Sequence, residues 1–250
     1  MTAPVAPARP RPDTATALRA EYRLLLRSIA TRGRIVAIGA LAALSVLTAL
    51  FVRLSDPSDP LDAAVGYLSG NISTLVPVAV LVFGAAALGD LIDDGSLVYL
   101  WLRPLPMWVH VVAAWAATVT IALPLVVLPV VVATPLIDGS PDAIAAAVLS
   151  SLVGVAAYGA LFVLAGIRFR RALPWGIVYI LIWEGFVANA GETATRLAVR
   201  SYLRSIVSAM TGIEIDLGIF SLAVGIAVPL AVAVAALAYA SRRLGRTDIP

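Results

Sequence analysis

Six long apolar runs, separated by short polar or arginine-bearing segments, dominate this sequence. A helix needs about 20 apolar residues to cross a hydrocarbon core of about 30 Å, and each run comes close to that length. The runs predict membrane spans at 35–52, 72–89, 108–136, 143–167, 174–190 and 217–240. The third run is long enough to tilt, kink or break, and Pro124, Pro129 and Pro135 lie within it.

The segment before the first span has two parts. Residues 1–13 are rich in proline, alanine and arginine and are predicted to be disordered. Residues 14–34 are predicted to form an amphipathic helix on the inner leaflet. Its apolar positions are Leu18, Tyr22, Leu25, Leu26 and Ile29, and its neighbouring face carries Arg19, Arg23 and Arg27. The alternative is that residues 14–34 form no helix and that their arginines only reflect the excess of basic residues on the cytoplasmic side.

Arginine distribution sets the predicted orientation. All 18 basic residues are arginines, and 14 of them fall on one side if both termini are cytoplasmic. The other side then holds Arg53, Arg196, Arg200 and Arg204. Because cytoplasmic loops carry the excess of basic residues, the chain is predicted to have both ends inside. A six-span domain at 35–240 is then followed by a cytoplasmic tail at 241–250.

Composition narrows the function classes. The chain is 61% hydrophobic and 13% charged, with a mean hydropathy of +0.97, which is typical of a polytopic membrane protein and not of a soluble domain. It has no cysteine and only one histidine, His110, which is predicted to lie at the membrane interface; no metal site is expected. It also lacks the lysine that a P-loop requires, and no nucleic-acid partner is expected.

A polar cluster interrupts the apolar pattern between the second and third spans. Asp90, Asp93 and Asp94 come directly after the second span, and Gly95 begins a turn. A short apolar helix over 97–103 is predicted next, ended by a proline. Such an element could dock a soluble partner or could be a solvated loop. A lipid phosphotransferase site is disfavoured, because the second aspartate is not followed by glycine and no paired aspartates follow downstream.

The fifth span carries an acid, Glu184, with Gly185 and Asn189 beside it. A charge at membrane depth costs on the order of 2.5–3.5 kcal/mol and needs compensation. Two interpretations remain open. Glu184 could make a polar contact within a pathway or with a second chain, which would also suit an ion- or proton-coupled carrier, or it could be a structural acid near the outer surface. After it, a helix over 194–210 is predicted, with Arg196, Arg200 and Arg204 on one face.

Two stretches resemble the permease subunits of type-two ATP-binding-cassette transporters. One is the acid-rich exit of the second span, Asp-Gly-Ser-Leu and Leu-Arg-Pro-Leu-Pro within 88–115. The other is Val-Tyr-Ile-Leu-Ile-Trp-Glu-Gly-Phe-Val-Ala-Asn-Ala at 178–190, followed by Ser201-Tyr202. With the order of the spans, the resemblance covers most of the chain. One departure is Leu105-Pro106, where many relatives have a small polar residue and an arginine.

The resemblance implies an all-α membrane protein with six transmembrane helices and both ends inside. An N-terminal interfacial helix, a cytoplasmic coupling helix between spans two and three, and a short external or re-entrant helix between spans five and six would complete the fold. It implies coupling to an ATPase through Asp90, Asp93, Asp94, Gly95, Arg103 and Pro104. It also implies an external gate that contains Arg196, Arg200 and Arg204.

The resemblance also implies the partners. Two copies of an ATPase subunit would hold ATP and Mg, so the chain would be no enzyme by itself and would carry no cofactor. A second permease chain, identical or not, would complete the pathway in the lipids of a bacterial cytoplasmic membrane. The expected task is export of a hydrophobic or amphipathic compound such as a drug, an antibiotic or a lipid-like molecule. A membrane scaffold or intramembrane enzyme is a third hypothesis, without a recognisable site.

Overall fold

A computed structural model describes residues 13–96 and 105–246, and every regular element in these two ranges is a helix. The α-helices are α1 (Thr14–Ile29), α2 (Arg32–Leu54), α3 (Pro60–Ser73), α4 (Leu75–Asp93), α5 (Met107–Ala122), α6 (Leu128–Ile137), α7 (Pro141–Arg168), α8 (Ala172–Val178), α9 (Glu192–Arg196), α10 (Val199–Thr211) and α11 (Leu222–Leu244). A π-helical segment, Leu123–Val127, joins α5 to α6. Another, Tyr179–Glu184, continues α8 and is followed by a 3₁₀ turn at Val187–Asn189.

Six helical stretches within the described ranges are long and apolar enough to cross a membrane. They are Arg32–Leu54, Pro60–Asp93, Met107–Ile137, Pro141–Arg168, Ala172–Asn189 and Leu222–Leu244. The six predicted spans are therefore confirmed, and this is the architecture expected of a multi-pass all-α membrane protein. Most ends lie within about five residues of their predicted positions.

The second span begins at Pro60, twelve residues earlier than predicted. The additional residues, which the predicted span did not include, form most of helix α3. Asp59 caps it by accepting a bond of 3.1 Å from the backbone N–H of Asp62, and the proline occupies the first helical turn. The span is not one continuous helix. It breaks at Thr74 (φ −130°, ψ −64°), and Pro77, which lacks an N–H, lies in the next turn.

The third span is interrupted near two of its three prolines. Pro124 lies in the π-helical segment between α5 and α6, and Pro129 lies at the start of α6. Proline removes a backbone donor, and a π-helical turn accommodates the resulting change in hydrogen-bond register. Pro135, by contrast, is tolerated inside α6.

Helices α4 and α7 form the centre of the bundle, and their backbones touch. Gly89 faces Gly166 across this interface, and a side chain at Gly166 would overlap the backbone oxygen of Ala85. Residues of the second and fourth spans are mostly buried, whereas the first, fifth and sixth spans leave most of their apolar surface exposed. The bundle therefore has a packed centre and a large apolar periphery.

Helix α1 packs along α5 and forms the amphipathic helix expected there. Its buried stripe is Ala17, Glu21, Leu25 and Ile29, and its three arginines are exposed. The predicted extent to residue 34 is wrong, because the helix ends at Ile29 and Thr31 caps the start of α2 by accepting from the backbone N–H of Arg34.

Candidate functional site

The acids at the end of α4 join it to neighbouring elements. The carboxylate of Asp90 pairs with the guanidinium of Arg34 in α2 at 2.7 Å. Asp93 accepts a hydrogen bond of 3.2 Å from the backbone N–H of Arg171, which lies between α7 and α8. Asp94 is exposed, and its backbone N–H closes the last turn of α4. This end of α4 is thus tied to the first span and to the connection between the fourth and fifth spans.

Gly95 turns the chain away from α4. Its φ of +69° lies in the left-handed region, where glycine is favoured because it has no Cβ. Ser96 follows, and its hydroxyl donates to the carbonyl of Leu91 at 3.4 Å. The predicted coupling helix over 97–103, with Arg103 and Pro104, lies outside the described residues.

Glu184 ends the π-helical segment of the fifth span and is only 1% exposed. Its carboxylate accepts hydrogen bonds from the hydroxyls of Tyr158 in α7 and Tyr179, the latter at 2.9 Å. The backbone N–H of Arg200 is near this carboxylate, and its guanidinium supplies a nearby positive charge. One buried acid therefore joins α7, the fifth span and α10.

Glu184 supplies the N-terminus of α10 with the negative charge that the first turn of this helix lacks. Ala198 is the N-cap residue of α10 and has no polar side chain, so it cannot satisfy the first backbone N–H groups. A carboxylate at a helix N-terminus satisfies such groups and interacts favourably with the helix dipole. Glu184, from a different segment, therefore stabilises the start of α10.

The depth of Glu184 in the bundle follows from contacts on α7. Tyr158 is in the second half of this 28-residue helix, and its side chain points toward the helix N-terminus. Gly154, midway along α7, is covered by Leu203 of α10. Glu184 therefore lies beside the middle of α7.

Gly185 and Asn189, predicted beside Glu184 in the path or dimer contact, shape the turn that follows it. The side-chain amide of Asn189 donates to the carbonyl of Gly185 at 2.6 Å, and Asn189 is exposed. A side chain at Gly185 would overlap the carbonyl of Leu181. These contacts of Gly185 and Asn189 lie within the turn and do not involve the carboxylate of Glu184.

The three arginines predicted to be external do not share one helix, so the predicted helix over 194–210 is wrong. The chain breaks between α9, which ends at Arg196, and α10, which begins at Val199. Side chains of α10 hold this break: the hydroxyl of Tyr202 donates to the carbonyl of Arg196 at 2.6 Å, and that of Ser201 donates to the carbonyl of Thr195 at 2.7 Å.

The arginines consequently have different surroundings. Arg196 is exposed and pairs with Glu192. Arg200 is buried beside Glu184, and its Nε has no hydrogen-bond partner. Arg204 is half-buried and donates to the backbone carbonyl of Asp216 at 3.2 Å. Only Arg200 therefore approaches the buried acid.

A second buried acid, Glu21, was missed in the sequence. Its carboxylate oxygen lies 3.3 Å from Nδ1 of His110, and both side chains are almost completely buried between α1 and α5. His110 lies in the first turn of α5, as expected for the start of the third span, and its position at the membrane interface stays a prediction. The sequence did indicate that Glu21 is buried, because it falls on the same face of the helix as Ala17 and Leu25.

Comparison with known proteins adds no relative. No protein-family model matches this chain, and no curated protein sequence matches it.

Proposed function

We propose that this chain is a permease subunit of an ATP-driven exporter of the ATP-binding-cassette type, in which ATP and Mg are bound by two separate ATPase subunits. The observation that carries the proposal is the bonding at the end of α4. Asp90 is joined there to Arg34, and Asp93 to the backbone of Arg171. The substrate expected for such a subunit is a hydrophobic or amphipathic compound.

The connection between α4 and α5 is where a partner could act on several spans together. Residues 97–104 belong to the connection between α4, which ends at Asp93, and α5, which begins at Met107. A force on this segment would act directly on the second and third spans. The bonds of Asp90 and Asp93 would carry it to the first span and to the connection between the fourth and fifth.

The exposed apolar spans support a second permease chain. Phe51 and Leu54 in the first span and Phe186 in the fifth are each more than 70% exposed. Lipid can cover such surface, and a second permease chain would cover it as well. A pathway between two permease chains would place this surface at their contact. The cytoplasmic position of both termini and of the α4–α5 connection forms part of the proposal.

The charge reversal Asp94→Arg tests the proposal most directly. The side chain of Asp94 is exposed, and the hydrogen bond of this residue to Asp90 is made by its backbone N–H. The substitution should therefore leave the bundle folded. Facing a docking partner, the reversed charge should reduce association at least about tenfold, since like-charge contacts cost several kcal/mol. The measurement is mild-detergent purification of the tagged chain from its own host, with mass spectrometry and an ATPase assay.

Asp142→Arg is the matched control, because Asp142 is also exposed but lies in the first turn of α7, far along the chain from the acid cluster. It should co-purify with the same amount of P-loop ATPase as the unaltered protein. Equal recovery of that ATPase with Asp94→Arg would contradict the docking role. Recovery of the unaltered chain without any P-loop ATPase would contradict the function itself.

An ion- or proton-coupled carrier is the second candidate, and the burial of Glu184 between two tyrosine hydroxyls favours it. For such a carrier, Glu184→Gln keeps a similar shape but removes the exchangeable charge. Transport and its pH dependence should then be lost, whereas ATP depletion should have no effect. Transport by Glu184→Gln that remains sensitive to ATP depletion would exclude the carrier.

A further inference from the structure

A groove lies between the first span and the second. It encloses about 410 Å³ and is lined by α2 residues within 41–48 and by residues within 66–78 of α3 and α4. Its walls are mainly apolar, and no lining residue in the described part of the chain is charged. This volume is within the range of about 300–1,000 Å³ that is usual for small-molecule sites.

Two glycines make the groove hollow. Gly66 and Gly70 lie one turn apart on α3, and a Cβ added at either would meet no atom within 4 Å. Small residues at this spacing usually allow a neighbouring helix to pack closely. Here no helix within residues 13–96 and 105–246 fills the space, so the pair leaves an open floor.

The groove floor carries three hydrogen-bonded polar side chains. Ser45 in α2 donates to Oδ1 of Asn71 at 2.5 Å, and its oxygen is 2.9 Å from the hydroxyl of Tyr67. A serine hydroxyl has one hydrogen, which is used on Asn71, so the hydroxyl of Tyr67 must be the donor to Ser45. The amide of Asn71 in turn donates to the backbone carbonyl of Tyr67 at 2.9 Å.

This arrangement leaves capacity for one more partner. An amide nitrogen has two hydrogens, and the recorded bond of Asn71 uses one of them. The hydroxyl oxygen of Tyr67 keeps its lone pairs, because it acts as the donor to Ser45. The floor therefore offers a donor and an acceptor within an otherwise apolar groove.

We propose that this groove binds a neutral amphipathic molecule, with its hydroxyl group on Asn71 and Tyr67 and its hydrocarbon along the apolar walls. A hydroxyl both accepts and donates, which matches the two free positions. A bare acyl chain would leave the Asn71 donor without a partner. A charged group would find no opposite charge in the lining, and burying an unpaired charge is strongly unfavourable.

Entry from the bilayer is possible because the groove lies beside the exposed first span. Ser45 is close to the middle of α2, so a molecule that follows the groove would have its polar end at mid-depth. A helix of a second chain is a less suitable occupant. It has a diameter of about 10 Å and would have to bring a matching polar side chain to the floor.

The binding site does not depend on how transport is driven. That its occupant is the exported compound rests on the proposed function, and would specify a neutral hydroxyl-bearing amphiphile as the substrate class. Binding can therefore be tested without the ATPase partner. A failure of binding and a failure of ATPase association are separate results.

The experiment uses a photoreactive monoacylglycerol with a diazirine near its head group, added to the full chain in lipid nanodiscs. We expect mass spectrometry to find labelled residues within 41–48 and 66–78, and excess unlabelled monoacylglycerol to prevent the labelling. A trimethylammonium amphiphile with the same chain and diazirine should label these peptides at least about tenfold less.

Three variants identify the groove as the site. Gly70→Leu adds a side chain on the groove floor, where an added Cβ meets no atom within 4 Å, and should lower specific labelling at least about tenfold because it takes up part of the binding space. Gly39→Leu is the matched control: it adds the same side chain to α2 at a position that is also open but outside the lining, and labelling should persist. Tyr67→Phe should lower labelling about two- to tenfold, as expected for one lost hydrogen bond.

Three outcomes would overturn the proposal. Equal labelling of all exposed apolar faces would indicate a lipid annulus only. Labelling that survives Gly70→Leu would place the molecule elsewhere. Chain-to-chain crosslinks through 66–70, with the monoacylglycerol excluded, would show that a second copy covers the groove.

Discussion

Replacing Glu184 by alanine is expected to lower the free energy of unfolding by about 3–5 kcal/mol, because two buried tyrosine hydroxyls lose their acceptor, at about 1–3 kcal/mol each, and a buried arginine loses a nearby acid. The substitution would leave Arg200 buried without its acid and remove the acceptor of two tyrosine hydroxyls. It would also remove the negative charge at the N-terminus of α10, so α10 should separate from α7.

Thermal unfolding of the purified protein in detergent measures this effect, because a loss of that size should lower the apparent Tm by about 6–20 °C. Glu192→Ala is the control, since Glu192 is exposed and pairs only along its own helix with Arg196; the Tm should hardly change. In Glu184→Ala/Arg200→Leu, the buried charge is absent and part of the loss should be recovered. A Tm equal to that of the unaltered protein in Glu184→Ala would contradict the structural role.

Gly166→Ala is expected to prevent the native packing of α4 on α7. An alanine in a helix interior normally gains about 0.5–1 kcal/mol relative to glycine. At Gly166 the added methyl would overlap the backbone oxygen of Ala85, which cannot rotate away as a side chain can. Overpacking costs about 1–3 kcal/mol or more, so the clash exceeds the gain in helix propensity.

Size-exclusion chromatography and thermal unfolding show the result as loss of monodisperse protein or a lowered Tm. Gly39→Ala is the matched control, because a Cβ there meets no atom within 4 Å and the propensity gain should raise or preserve stability. Unchanged stability of Gly166→Ala would mean that the two backbones are farther apart than described.

The spans could be predicted because each depends on one property, the length of an apolar run. The element that was missed, α3, lacks such a run. Its sequence contains Gly66, Gly70 and Asn71, which are unfavourable in an isolated helix. Packing against α10 and the core determines its structure, and neither is visible in local sequence.

The break before α10 was missed for a related reason. The spacing of Arg196, Arg200 and Arg204 fits one continuous helix, and no glycine or proline marks the end of α9. The break is held by hydroxyls of Ser201 and Tyr202 that bond backward to carbonyls. Those bonds depend on tertiary placement and not on helical periodicity.

The sequence shows which acids need a compensating partner, but it does not show which residues the partners are. An acid inside an apolar run or at a span end needs compensation, so Glu184 and Asp90 could be selected from the sequence alone. Their partners, Tyr158 and Arg34, are 26 and 56 residues away along the chain. The helix packing that brings them together has no sequence signal in a single chain.

The pairing of Glu21 with His110 also bears on the order of synthesis. The acid is made first, and its histidine follows roughly 90 residues later, which is about 4–18 s at ordinary translation rates. The N-terminal helix cannot reach its final position until the third span has emerged from the ribosome. During that interval its carboxylate and its apolar stripe must remain in contact with water, lipid or a chaperone, so its attachment is a late step of biogenesis.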